Sequence, residues 1–295
     1  MGDKVVRTNY IRDSHRVLLE FAMKRLFIET SKGQLHARAH HGDAVSVTLP
    51  PLVMLHAAPG SALMLSNLQV RFHQRSLAVD LPGMGDSDPL PIRSGNAEPT
   101  ISDFTDMVEE ALRNTFDEPV DVYGTLSGVR VALELANRQP VSVRRVVLDG
   151  IGMPKPEQLD ELLAEYAPPF TPDINGNHLM NTFQLCRDQY LFYPWYARDA
   201  EHRRPTGLPS ADALHLKVME SLKSAAAFRP LIRAAFRYDC AAALAALKQP
   251  ALITADGSAV RGDLPVLEFP PAEPLTCPPD LLDKRAARIA AFLSS

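Results

Sequence analysis

The sequence predicts an α/β protein with a mostly parallel central sheet flanked by helices and a block of helices inserted late in the chain. Three observations lead there. Short apolar runs alternate with helical stretches up to Gly152. The runs are unbroken instead of alternating polar and apolar, as in strands covered on both faces. The rhythm then stops at Pro154, gives way to a helical stretch rich in aromatics as far as Tyr238, and resumes at Gln249. A chain of 295 residues, 46% hydrophobic and 22% charged, is long enough for one large core plus such an insertion.

Taken in order, residues 1–22 read as a helical extension, HRVLLEFAMKRL being apolar at roughly helical spacing. Such a surface packs on the body of the protein or on a partner, so a homodimer stays open. KRLFIETSKGQLHARAHHGD gives two strands around a Lys32-Gly33 turn. Leu52 to Leu55 is a buried strand that ends at His56 and a loop carrying Pro59 and Gly60. A second strand ends at Val79 before a loop with Asp80, Pro82, Gly83, Gly85 and Asp86. TISDFTDMVEEALRNTF is an amphipathic helix that Thr100 or Ser102 caps, with Phe104, Met107, Val108, Ala111 and Leu112 on one stripe. VDVYG is a strand, GVRVALELANRQ a helix closed by Pro140, and RRVVLDGIG another strand. After the insertion come strands in QPALITADGS and DLPVLEF and a final helix in LLDKRAARIAAFLSS. The expected organisation is an extension at 1–22, a core at 23–153 and 239–295, and inserted helices at 154–238.

Composition narrows the function. A net charge of -4 and a pI near 6.1 offer no basic face for nucleic acid. Cys186, Cys240 and Cys277 stand far apart without CxxC spacing, which argues against a zinc site or a disulfide framework and for a reducing compartment. The paired His40 and His41 lack a third ligand at suitable spacing, so no metal is expected. No apolar run reaches about 18 residues, and MGDKVV lacks the Ser/Thr of a myristoylation signal. A cytoplasmic protein that does not engage membranes is the expectation.

Four segments together resemble the α/β-hydrolase superfamily, from Lys24 to the C-terminus. LHAAPGS is similar to the oxyanion loop after the third strand and VDLPGMGDSD to the loop after the fourth. YGTLSGVRVALELA is similar to the nucleophile elbow and QPALITADGS to the strand bearing the triad acid. The resemblance implies an α/β-hydrolase fold whose inserted helices form a cap that roofs the pocket and sets substrate choice. RDQYLFYPWY and YGTLSG also resemble a bacterial group of uncertain function whose elbow often lacks serine.

In that elbow the residue between the two glycines sits on a strained strand-to-helix turn, and the next backbone N–H completes an oxyanion hole. Aligning Gly124 and Gly128 on the glycines places Leu126, which has no nucleophilic atom, at the centre. Ser127 beside it reads as a helix-start serine. The resemblance puts the catalytic histidine before the last helix, where this chain has none. Asp256, or alternatively Asp149, would be the acid, with no histidine to orient.

What remains for chemistry is an oxyanion site at the N–H groups of Ser127 and of Ala57 or Ala58, with His56 either beside it or, as a structural histidine, bonding nearby backbone. The inserted helices add His178 and Arg187 as polar groups and Trp195 among the apolar walls. With catalytic roles for Asp256, His178 and Asp149, this points to a small-molecule enzyme without a Ser-His-Asp triad, of cyclase, lyase or isomerase type. The alternatives are a binding protein for a small molecule and a hydrolase of a small ester or lactone using unconventional groups. No cofactor is implied.

Overall fold

The computed structural model describes residues 23–42, 49–92, 97–138, 142–205, 207–254, 262–269 and 277–295. The helical extension expected at 1–22 and the candidate acid Asp256 lie outside them.

The described strands form one eight-stranded sheet in the order β1-β2-β4-β3-β5-β6-β7-β8. β1 (Met23–Thr30) and β2 (Gly33–His40) make the antiparallel hairpin, with Gly33 at φ 126 opening the second strand. β2 pairs antiparallel with β4 (Ser76–Val79); every later pairing is parallel. β3 (Leu52–Leu55) lies between β4 and β5 (Val120–Thr125), followed outward by β6 (Val143–Asp149), β7 (Ala251–Thr254) and β8 (Val266–Leu267). The chain therefore steps one way from β3 to β4 and the other way to β5. At such a switch point the loops after β3 and β5 leave neighbouring strand ends, the place where open α/β sheets commonly bind ligands.

Period-two alternation divides each strand between two apolar layers. Val53 and Leu55 face one layer with α2 (Ile101–Arg113) and α3 (Gly128–Arg138); Leu52 and Met54 face the other with α1 (Ser66–Gln69) and the last helix. The predicted stripe of α2, from Phe104 to Leu112, is buried, and Thr100 caps it by donating its N–H and hydroxyl to Asp103 at 2.7 and 2.8 Å.

Between β6 and β7 the chain forms α4 (Leu159–Glu165), α5 (Asn177–Leu191), α6 (Ala211–Lys223), α7 (Phe228–Arg237) and α8 (Cys240–Ala246). Phe170, Leu185, Leu214, Phe228 and Ile232 give this insertion an apolar cluster of its own. The final helix is α9 (Pro279–Ser294). Among the described residues no helix is long and apolar enough to cross a membrane.

Candidate functional site

The turn after β5 has a catalytic elbow's backbone. Leu126 has φ 49, the single positive φ of a non-glycine residue among those described. A side chain in that left-handed region costs roughly 1–2 kcal/mol, so the surroundings must impose it. The glycines show how. A Cβ on Gly128 would lie 2.5 Å from the Leu55 carbonyl oxygen and 2.6 Å from that of His56; one on Gly124 would lie 2.8 Å from Ala132 Cβ and from the Gly128 oxygen. The start of α3 is thus pressed onto β3 and β5, and the chain has one sharp way to turn. Leu126 N–H donates to the Asp149 carbonyl at 2.8 Å, fixing the apex to the end of β6. The leucine side chain at the apex is half-buried.

The loop after β3 meets this turn, but not as an open oxyanion hole. Ala58 N–H donates to Ser127 Oγ at 2.7 Å, so the donor expected to face a substrate oxygen is committed to the serine next to the apex. Ser127 therefore ties two loops together. Ala57 beside it is buried. The insertion holds the same loop from above. Lys217 Nζ donates to Pro59 O at 2.9 Å; Gly60 N–H donates to Ser224 Oγ at 3.1 Å; and the Ser224 hydroxyl lies 2.9 Å from Gly60 O.

His56 follows the structural of its two readings: it is fully buried with both ring nitrogens satisfied. Leu81 N–H donates to Nε2 at 3.0 Å, so the ring proton sits on Nδ1 and is donated to Ala57 O at 2.8 Å. Burial lowers its pKa, partly offset by the charge of Asp80, and keeps the ring neutral. It joins the loops after β3 and β4 and offers no nitrogen to a ligand.

Asp149, the alternative acid, does not face an open site either. Its Oδ2 accepts from Tyr123 Oη at 2.8 Å and from Arg285 Nη1 at 2.5 Å, and both charged partners have no solvent exposure. Burial pushes its pKa up, opposed by the Arg285 guanidinium. Sequence reasoning passed over Arg285 although the signal was there: Leu282, Ala286, Ile289 and Leu293 form an apolar stripe on α9, and Arg285 lies within it. Asp80 is likewise structural, accepting from His36 Nδ1 at 2.8 Å, Ala62 N–H at 2.6 Å and Asp86 N–H at 2.9 Å. His36, Asp80 and Asp86 converge closely enough to suggest a metal centre, but every group aimed at Asp80 is a donor, which suits a lone carboxylate and not a cation.

A cavity of about 400 Å3 opens in the insertion, lined by Phe170, His178, Asn181, Gln184, Trp195 and Arg198 among others. His178 accepts the Asp173 N–H on Nδ1 at 3.1 Å, which leaves the proton of its neutral ring on Nε2. Trp195 Nε1 donates to Tyr166 O at 2.8 Å. Arg187, expected to face the pocket, does not line it; its Nε pairs with the buried Asp188 at 2.7 Å, which Arg198 approaches from the other side at 2.8 Å. Neither Leu126 nor Ser127 lines this cavity, so His178 and the elbow do not share it. Phe170 lines it and belongs to the apolar cluster against which Trp195 and Ala58 pack.

Another missed group is Arg130, one helical turn beyond the apex. It is 6% exposed, donates from Nη1 to Leu126 O at 2.9 Å and from Nη2 to Gly152 O, and lies within hydrogen-bonding reach of the Cys240 thiol; among the described residues its Nε has no partner. The signal was a charge inside the otherwise apolar buried face of GVRVALELA.

Solved structures share this arrangement of strands and helices over most of the chain. E-2-(acetamidomethylene)succinate hydrolase is 19% identical with a TM-score of 0.67, covering 92% of this chain and 100% of that one. The enol-lactonase from Burkholderia xenovorans LB400 is 16% identical with a TM-score of 0.65, again covering 92% and 100%. Carboxylesterase CesB from Bacillus subtilis is 16% identical with a TM-score of 0.62, covering 98% and 97%. At these identities the likeness is one of fold. No curated protein matches the sequence. The sequence model of the alpha/beta hydrolase family matches residues 52–291, well over half of the chain. With its loops after β3, β4 and β5 in the order and geometry described, this chain belongs to the alpha/beta hydrolase family.

Proposed function

We propose that this protein binds a small molecule beneath its inserted helices, which act as a cap, and forms no acyl-enzyme. The observation that carries the reading is Leu126 at the strained apex, where covalent catalysis needs a nucleophilic atom. Three further features agree with it. The Ala58 N–H is spent on Ser127, both nitrogens of His56 are engaged, and the chain has no histidine after His215. A cavity of about 400 Å3 lies within the insertion, separate from the elbow, with aromatic walls and a few polar groups.

A second reading, non-covalent catalysis of cyclase, lyase or isomerase type, rests on His178, whose ring stands on the cavity wall. The lactonase and hydrolase activities named for the similar structures suggest esters, lactones and acids as the molecules to try first.

The test is a fluorophosphonate probe with peptide mapping, run beside p-nitrophenyl acetate turnover. The expected result is no label on Ser127 and turnover at the buffer rate; a label on Ser127 would overturn the reading. Native mass spectrometry of the purified chain then separates a binder carrying one retained compound from an empty enzyme.

A further inference from the structure

Two rings that wall the cavity in the insertion are each held by a neighbour. Phe170 stacks on Phe228 with ring centroids 5.1 Å apart; Trp195 stands edge-on to Tyr196 at 5.8 Å, and its Nε1–H is tied to Tyr166 O. A flat apolar group entering the cavity therefore meets surfaces already fixed in place.

One face of α5 supplies the polar side. His178, Asn181, Gln184 and Asp188 follow at spacings of three, three and four residues, which sets them in one row along the helix. The first three line the cavity. Asp188 ends the row, is 1% exposed, and pairs with Arg187 Nε at 2.7 Å and with Arg198 Nε at 2.8 Å. Two guanidiniums on one carboxylate leave one positive charge in excess, and of the two arginines Arg198 is the one that lines the cavity.

The groups left over along this row are donors. Asp173 N–H occupies Nδ1 of His178, so the neutral ring carries its proton on Nε2. Arg198 engages Asp188 through Nε, and its Nη N–H groups have no partner among the described residues. The same holds for the amides of Asn181 and Gln184, each of which can donate. The carboxylate in the lining, Asp173, is already engaged: its two oxygens accept the N–H groups of Asn175 and Asn177 at 2.9 Å each, at the positive end of α5. A row of donors with an unbalanced charge at one end and a fixed aromatic wall is the complement of a flat ring bearing a carboxylate.

We propose that the cavity in the insertion takes an aromatic carboxylate, with its ring on Phe170 and Trp195 and its carboxylate on Arg198 and the side-chain donors of α5. This rests on reading that cavity as the ligand site and adds the chemical class of what enters it.

Trp195 is the chain's single tryptophan, so its fluorescence reports on this cavity. The probes are benzoate and benzamide, titrated against the full chain at matched ionic strength with calorimetry in parallel. Benzoate should change the Trp195 emission saturably, and benzamide should bind about tenfold more weakly or worse, the loss expected for a charge-assisted contact. Arg198→Met should weaken benzoate by a similar factor and Asn181→Leu by severalfold, while the surface change Arg113→Gln leaves it unaltered. If Arg198→Met does not fold, Asn181→Leu and the benzamide comparison decide. Equal responses to benzoate and benzamide would overturn the carboxylate class and leave the cavity standing as a ligand site. Benzoate binding seen by calorimetry without a change at Trp195, or unaltered affinity in Arg198→Met and Asn181→Leu, would place the anion elsewhere and overturn the proposal. Binding of neither probe would overturn it as well, whereas a fluorophosphonate label on Ser127 would overturn the underlying reading whatever benzoate does.

Discussion

The ends of β5 and β6 lie side by side at the same edge of the sheet, and they carry opposite problems. At the end of β5 the backbone is strained and the side chain is inert. At the end of β6 the backbone is ordinary for a glycine-flanked strand end, since Gly150 takes φ 96, but Asp149 brings a charge into a place without water. The two are joined by one hydrogen bond, Leu126 N–H to Asp149 O. The elbow keeps its shape because Gly124 and Gly128 allow α3 to press onto β3 and β5, contacts that do not depend on which side chain sits at the apex. The carboxylate keeps its place because Arg285 and Tyr123 meet it. The shape of the turn is therefore held independently of the side chain at its apex, whereas the buried carboxylate is held by its partners.

The sharpest way to break that contrast is Arg285→Met. It strips the counter-charge from a fully buried carboxylate and should cost about 3–5 kcal/mol of unfolding free energy in urea titrations. Adding Asp149→Asn to the same chain should return a large part of the loss, because the remaining buried group is then neutral. If the double variant is no more stable than Arg285→Met alone, the pair is not held by charge.

On the β5 side, Gly128→Ala should cost about 1–3 kcal/mol, since the new methyl meets the backbone of Leu55 and His56 and neither can yield as a side chain would. The replacement Leu126→Asn, which tolerates the left-handed region far better than leucine, should lose less than Gly128→Ala in the same urea titration. The reverse order would mean that the apex side chain, not the glycine contacts, sustains the turn.

The smallest effect expected is one of pH. His56 is buried neutral with a lowered pKa, so the unfolded chain takes up its proton first. Its contribution is full above an unfolded pKa of about 6.5 and is lost as the pH falls toward the folded value, at no more than about 1.4 kcal/mol per pH unit. Urea midpoints between neutral and mildly acid pH should show this slope flattened in His56→Gln.

Much of this was legible in the chain before folding. The four strand-and-loop segments, the switch to helices after Gly152 and the spacing of Gly124, Leu126 and Gly128 all follow local patterns. Arg285 and Arg130 were legible as charges on apolar helix faces, although nothing nearby in the sequence names what each one meets. His56 read as a residue near a pocket, since the loop after β3 looks the same whether its ring faces a ligand or its neighbour's backbone.

By itself, then, the sequence determined the order of elements, the sharp turn after β5 and the absence of a nucleophile at its apex. These depend on periodicity, on two glycines and on the identity of one side chain. Only the tertiary structure decided that Ser127 takes the N–H of Ala58, 69 residues away, that Lys217 and Ser224 hold the loop after β3 from 158 and 164 residues away, and that Arg285 answers Asp149 across 136. Hydrogen bonds and buried ion pairs depend on positions to within a few tenths of an ångström, and those positions exist only once the packed layers have brought distant segments together.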